Sequence, residues 1–274
     1  MLEAKTHDGS TITIEVHGTG PTLLLPVNPE PAQREQDEAM RAWGADPALG
    51  RSLMEGLGDL VRVAAFDYEG HVLAHPKPAT LTPDNISADL LAVADAVGAD
   101  RFFYYGYSWL ALSGLQLALR TDRLAGLAMG GYPPVAGPYK EMLVVTNGTL
   151  RQVGTATGKE PTPGDWSTVE VDMSEAQARQ FVTLYEALQD FDDSAAQARI
   201  TCPRLCFAGS ADVIEYDERF GGVRVDLAGP IARNRAELES LGWTVALLDG
   251  LDHAQAMQAP NALPVLRPWL AAHV

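Results

Sequence analysis

One serine of this chain stands where strand-forming residues give way at once to a helical pattern. Residues 102–114 read Phe-Phe-Tyr-Tyr-Gly-Tyr-Ser-Trp-Leu-Ala-Leu-Ser-Gly. β-Forming aromatics run up to Gly106, Ser108 follows two residues later, and apolar helical spacing starts at Trp109. A strand, a sharp turn and a helix in that order present the serine oxygen at the top of a sheet, in a backbone with no room for bulky neighbours. The chemistry open to such an oxygen is nucleophilic attack. A hydroxyl is a poor nucleophile near neutral pH, so it needs a base within hydrogen-bond reach. The base in turn needs a carboxylate that fixes its tautomer and stabilises the cation it becomes. Six histidines are available: His7, His17, His71, His75, His253 and His273.

The 102–114 segment resembles the nucleophile elbow of the α/β-hydrolase superfamily, whose catalytic residues follow the chain order serine, acid, histidine. His253 follows a late strand in Leu-Leu-Asp-Gly-Leu-Asp-His-Ala-Gln-Ala-Met and looks like the family's histidine loop; a solvent-facing loop histidine is the alternative. The stretch Leu205-Cys206-Phe207-Ala208-Gly209-Ser210-Ala211-Asp212 resembles the family's Gly-x-x-Asp loop, which implies Asp212 as the acid. Glu215 is the second choice, and Asp217 and Glu218 read as solvated charges. The other acid position used in the family, after the preceding strand, holds Met129-Gly130-Gly131-Tyr132-Pro133-Pro134 and no carboxylate. The implied oxyanion donors are the backbone N–H groups of Trp109 and Asn28. Pro29 has no N–H to offer, and Pro26-Val27 stands where family members usually carry His-Gly.

Two departures from the family pattern bear on fine geometry. The usual elbow is G-x-S-x-G, and here Leu110 takes the last place, where helix and strands crowd the turn. After the Val61–Phe66 run the chain keeps the family's Asp67 and Gly70 but has Tyr68-Glu69 where an arginine commonly sits. Neither change removes a catalytic atom. The resemblance implies acyl transfer, in which His253 takes the proton of Ser108 as it attacks a carbonyl and water later releases the acyl-enzyme. A serine rather than an aspartate at the elbow argues against the haloalkane dehalogenase and epoxide hydrolase branches. Esters, thioesters, lactones and C–C bonds remain, in a medium-sized apolar molecule. Tyr107, Tyr132, Trp166, Phe181 and Tyr185 are the candidate pocket walls.

Two rival readings stay open: a small-molecule binding protein without turnover, and cofactor-free lyase or oxygenase chemistry with His253 as base on the substrate. No cofactor is expected, since there is no P-loop and Gly18-Thr19-Gly20 falls short of a dinucleotide fingerprint. No metal is expected either. His71 and His75 have the i, i+4 spacing of a shared helix face, but Gly70 before them and Pro76 after them speak against a helix, and no third ligand is matched.

These residues need a sheet to carry them. Continuous apolar runs at Thr22–Val27, Val61–Phe66, Phe102–Tyr105, Leu124–Met129, Arg204–Ala208 and Thr244–Leu248 suit parallel strands covered on both faces. Thr11–Val16 alternates as an early strand, hairpinned with residues 2–6 around Asp8-Gly9. Helical patterns fall between: Ala88–Val97 with Asp84 or Asn85 as cap, Trp109–Leu119, residues 228–241 and residues 261–272. The alternation predicts an α/β fold, doubly wound on a mostly parallel sheet; the resemblance implies about eight strands. Roughly seventy residues between the runs at 124–129 and 204–208 break the rhythm. They hold two or three helical segments, among them Glu175–Leu188 capped by Ser174, with Pro161, Pro163 and Gly164 in a loop. The expected organisation is a core of residues 1–134 and 200–274 with a helical lid over 135–199; the plainer alternative there is a surface elaboration.

At 274 residues, 46% hydrophobic and 20% charged, the composition is that of a globular protein. A formal net charge of −16 argues against nucleic acid and anionic membrane surfaces, which would repel it. A small-molecule substrate is the expected partner, with a homodimer left open. Cys202 and Cys206, spaced along one strand at about 13 Å, lie beyond disulfide reach. The first residues show neither a basic nor an apolar signal region, and no apolar run reaches membrane-spanning length, so a cytoplasmic location is expected.

Overall fold

The computed structural model describes residues 1–162 and 168–274, with the side chains at 34–36 outside that description. Strands β1 (Leu2–Lys5) and β2 (Thr11–His17) form the opening hairpin, and β3 (Thr22–Leu25) follows. Helices α1 (Arg34–Ala42) and α2 (Leu49–Leu57) lead to β4 (Arg62–Ala65). Next come α3 (Tyr68–Ala74), α4 (Pro83–Ala96), β5 (Phe102–Tyr107), α5 (Trp109–Ala118) and β6 (Leu124–Gly130). The long interval holds α6 (Tyr139–Gln152), α7 (Glu175–Glu186) and the short α8 (Asp193–Ala196), with no strand among its described residues. The chain resumes with β7 (Arg204–Gly209), β8 (Val213–Glu215), β9 (Arg224–Asp226), α9 (Ala228–Arg233) and α10 (Arg235–Ser240). It closes with β10 (Trp243–Leu248), α11 (His253–Met257) and α12 (Ala259–Ala271).

Eight strands make one sheet in the order β1-β2-β4-β3-β5-β6-β7-β10. Only β2 runs against the rest. Every residue of β3 and β5 is buried, because helices cover both faces. On one face α4 and α5 pack a core around Leu90, Leu112, Tyr104 and Leu127. On the other, α2 and α12 pack around Leu53, Phe103, Phe207 and Trp269. The strand order reverses between β3 and β5. In open α/β sheets the crevice at such a reversal, beyond the carboxyl ends of the strands, is where ligands bind.

The charges after Asp212 are exposed, as read from the sequence: Glu215 ends β8 and meets Arg224 of β9 at 3.0 Å, and Asp217, in the loop between the two strands, pairs with Arg219. Three local expectations are corrected. Thr82, not Asp84 or Asn85, caps α4: its hydroxyl accepts from the Asn85 N–H, with Pro83 in the first turn. The 228–241 pattern splits at Asn234 into α9 and α10. And α3 does form, because the Asp67 side chain caps it through the Gly70 N–H and the helix ends before Pro76. His71 and His75 stack there with ring centroids 4.9 Å apart. His71 also meets the Ser10 hydroxyl at 2.9 Å, and no cluster of three metal-ligating side chains occurs among the described residues.

Helix α7 begins at Ser174 in a capping box with Gln177. It is tied to the chain just after α3. Gln177 Nε2 donates to the Leu73 carbonyl at 2.8 Å, the Lys77 N–H donates to Gln180 at 3.0 Å, and the Thr183 hydroxyl donates to the Pro78 carbonyl. Both cysteines are free, and burial pushes the Cys206 thiol up to about 12. No helix among the described residues is long and apolar enough to cross a membrane.

Candidate active site

The carboxyl end of β5 delivers Ser108 into the crevice beside β3. Ser108 adopts φ 57° and ψ −130°, a region that costs a side-chain-bearing residue about 1–3 kcal/mol. The surroundings hold it there. Its N–H donates to the Gly130 carbonyl at 2.8 Å, and its own carbonyl accepts from Ala111 and Leu112 as α5 begins. The close approach of helix to strand falls on Gly106, where a Cβ would lie 2.4 Å from the Leu110 carbonyl oxygen. One turn further on, Gly114 lies flat against the Tyr104 ring. Leu110 is therefore free to be large: it packs into the core on the α4–α5 face and also borders the crevice.

Asp212 and His253 arrive on adjacent parallel strands. β7 and β10 pair from Trp243↔Arg204 to Leu248↔Gly209, so the loops beyond them leave side by side. Three bonds stitch these loops together: Ser210 N–H to Leu248 O, Ala211 N–H to Leu251 O, and Gly250 N–H to the Ser210 hydroxyl, at 2.8, 3.0 and 2.8 Å. The Asp212 side chain is fully buried, and its two oxygens lie 3.0 and 2.9 Å from Nδ1 of His253. An ionised carboxylate only accepts, so Nδ1 carries the proton and Nε2 of the neutral ring keeps its lone pair. Asp252 fixes the start of α11 in a capping box with Gln255. Tyr107, the last strand residue before the serine, donates from its hydroxyl to the His253 carbonyl at 2.8 Å. Burial first, and then the Asp212 charge, push the Tyr107 phenol well above its ordinary range.

Ser108 and His253 open onto one cavity of about 500 Å³. Asn28 lies on its wall; its side chain accepts from the Glu30 N–H, while its own N–H meets no acceptor among the described residues. Val27, in contrast, spends its N–H on the Leu25 carbonyl. The Trp109 N–H, in the first turn of α5, is free of intrahelical partners by position. Apolar walls come from Leu49, Leu53, Leu73 and Met257. The polar remainder is acidic. Asp67 and Glu69 line the same space, and Glu69 accepts from Nε1 of Trp109 at 3.0 Å. Glu69 is exposed at its surface, yet desolvation of its carboxyl by the surrounding protein, aided by Asp67, holds its pKa above the ordinary glutamate value despite the Trp109 bond.

Of the expected pocket residues, Tyr107 lines the cavity. Tyr132 and Tyr185 do not: both are 2% exposed and packed in the core, Tyr132 against Tyr139 of α6 and Tyr185 on the buried side of α7. Phe181 on α7 meets the Trp109 ring edge-on at 5.4 Å. Trp166 lies outside the described residues. Alternate aromatics on β5 face opposite ways, a signal that separates Tyr105 and Tyr107, which point to the cavity side, from Tyr104. Leu49 and Leu53 sit on α2, which no motif tied to the serine.

No family model and no curated protein matches this sequence. Solved structures do match along the whole chain. A thermophilic esterase from Thermogutta terrifontis is 18% identical with a TM-score of 0.62, covering 100% of both chains. An esterase from Exiguobacterium antarcticum is 16% identical, TM-score 0.61, over 98% of each. The enol-lactonase from Burkholderia xenovorans LB400 is 17% identical, TM-score 0.57, over 98% of this chain and 99% of that one. This chain has the α/β-hydrolase fold. In an α/β-hydrolase fold the loops after β3, β5, β7 and β10 meet at one edge, and here they carry Asn28, Ser108, Asp212 and His253.

Proposed function

We propose that this protein is a serine hydrolase that cleaves a carboxylic ester, thioester or lactone of a medium-sized organic molecule through an acyl-enzyme on Ser108. The observation that carries the reading is the buried Asp212 carboxylate held on Nδ1 of His253, at a cavity that Ser108 shares. That pairing leaves Nε2 as the base for the Ser108 hydroxyl. As the hydroxyl oxygen attacks the carbonyl carbon, its proton passes to Nε2, and Asp212 stabilises the imidazolium. The N–H groups of Trp109 and Asn28 are the donors for the developing oxyanion. The imidazolium then protonates the departing alcohol or thiol, and a water activated by the same nitrogen releases the acid. Two of the structures of similar fold are esterases and one is an enol-lactonase, which supports the reading of an ester or lactone substrate. Residues 135–199 are assigned as a lid over the core of 1–134 and 200–274, on the packing of Phe181 over Trp109.

The test is a serine-directed fluorophosphonate followed by intact mass, with Ser108→Ala as control, and then a panel of p-nitrophenyl esters and lactones. A single adduct lost in the variant, with turnover, is the expected result. A folded protein that takes no label overturns the proposal in favour of a binding role or of chemistry with His253 as base.

A further inference from the structure

We propose that the substrates are esters bearing an ammonium group a few bonds from the scissile carbonyl, with Glu69 as the residue that selects them. The inference rests on the hydrolase reading and names its substrate class. Two carboxylates, Asp67 and Glu69, line the cavity beside Ser108, and no lysine or arginine does. The cavity's one basic side chain, His253, is already paired with Asp212. Lys77, close in sequence, is buried against Asp8 and does not reach the cavity.

Glu69 is solvent-exposed at this cavity and no lysine or arginine pairs with it there, so a cation entering the space gains a charge-assisted contact that no protein cation has taken. Glu69 is also aimed. Its Oε2 is pinned by the indole of Trp109, the residue directly after the serine, while no protein donor engages Oε1 among the described residues. Tyr105 also borders the cavity, and its buried hydroxyl has no hydrogen-bond partner. The same arrangement penalises an anionic substrate, whose charge would face two carboxylates. It also bears on the chemistry, because an ionised Glu69 near the elbow opposes the growing oxyanion and a bound cation cancels that field. The net charge of −16 draws cations toward the protein before they reach the cavity.

The experiment compares butyrylcholine with its uncharged carbon isostere, 3,3-dimethylbutyl butyrate, in wild type and Glu69→Gln. In parallel, choline and 3,3-dimethylbutanol are titrated calorimetrically into the same proteins. The expected wild-type kcat/KM ratio is about tenfold or more in favour of the cation, as one cation–carboxylate contact in a partly desolvated site implies. In Glu69→Gln it should fall to about twofold or less. A wild-type ratio near one, or a tenfold ratio that survives the substitution, overturns the proposal, and the wild-type ratio decides even if the variant does not fold. Cleavage of both esters at equal rates, lost in Ser108→Ala, removes the cation selectivity and keeps the hydrolase. Glu69-dependent binding of choline over the alcohol, with neither ester cleaved, does the reverse.

Discussion

The phenol of Tyr107 and the backbone carbonyl of His253 are joined by a 2.8 Å hydrogen bond, and the two rings lie 5.1 Å apart. The strand that ends at the serine is thereby tied directly to the loop that carries the imidazole, independently of Asp212. Tyr107→Phe keeps the buried ring and deletes this tie alone. A net hydrogen bond of about 1 kcal/mol predicts a thermal midpoint lower by about 2–4 °C. Ester kcat/KM should drop about fivefold, since RT ln 5 is close to that energy. A variant with full activity would show that the loop is positioned without it.

Ser108 sits at φ 57°, so its own replacement should relieve strain. Ser108→Gly is expected to abolish fluorophosphonate labelling and at the same time raise the melting temperature. The released strain of about 1–3 kcal/mol, less the unfolded-state entropy cost of glycine, leaves a gain of roughly 1 kcal/mol, or about 2–4 °C. Scanning calorimetry checks it, and a lower midpoint would mean the elbow is relaxed.

Asp212→Asn should leave the fold standing and cut kcat on a p-nitrophenyl ester by about 10³–10⁴-fold. An amide that donates to Nδ1 would move the ring proton to Nε2 and remove the lone pair the serine needs. Residual activity within tenfold of wild type would assign the orienting role elsewhere.

A methyl group at Gly106 would lie 2.4 Å from Leu110 O and 2.9 Å from Ala111 N. Both are backbone atoms of the helix that caps the turn, so neither can swing aside. Gly106→Ala is predicted to cost about 3 kcal/mol or more, read as a lower denaturant midpoint, together with loss of Ser108 labelling. The same substitution at Gly98, where nothing lies within 4 Å, separates this clash from the φ +66° strain at that site.

Glu69 gives the pH dependence. Desolvation holds its folded-state pKa above the unfolded value, so its protonated form is the one the fold favours. That contribution is fully present below the ordinary glutamate range, near 4.3, and is lost as pH rises through the raised value. Glu69→Gln should therefore melt higher than wild type at pH 8, with the gap closing on acidification below about pH 4. The choline-ester preference should fade on the same acidification, beginning above the ordinary glutamate range because the Glu69 pKa is raised. Melting curves that stay parallel from pH 4 to 8 would contradict this.

Much of the fold can be read along the chain because its signals are contiguous. The apolar runs that became β3 to β7 and β10 are continuous, as strands covered on both faces must be, and they lie within a residue or two of their observed ends. Ser174 announces α7 because an N-cap is local chemistry. The missed features are tertiary or marginal. Helix α3 is under two turns long and rests on the Asp67 cap, too short for periodicity to reveal. Tyr132 and Tyr185 carry the same aromatic chemistry as Tyr107, and nothing in their local pattern says that α6 and α7 bury them.

Adjacent residues alone were enough for the elbow: aromatic strand, Gly106, Ser108 and apolar helix stand in one unbroken segment, and steric exclusion within that segment dictates the turn. Asp212 and His253 are 41 residues apart, and their contact exists because β7 and β10 pair in a register that sends both loops out of the same edge. The cavity is less local still. Its walls come from α2, α3, β5 and α11, and the acidic character given to it by Asp67 and Glu69 follows from where a capped short helix points, a matter of packing that no stretch of chain records by itself.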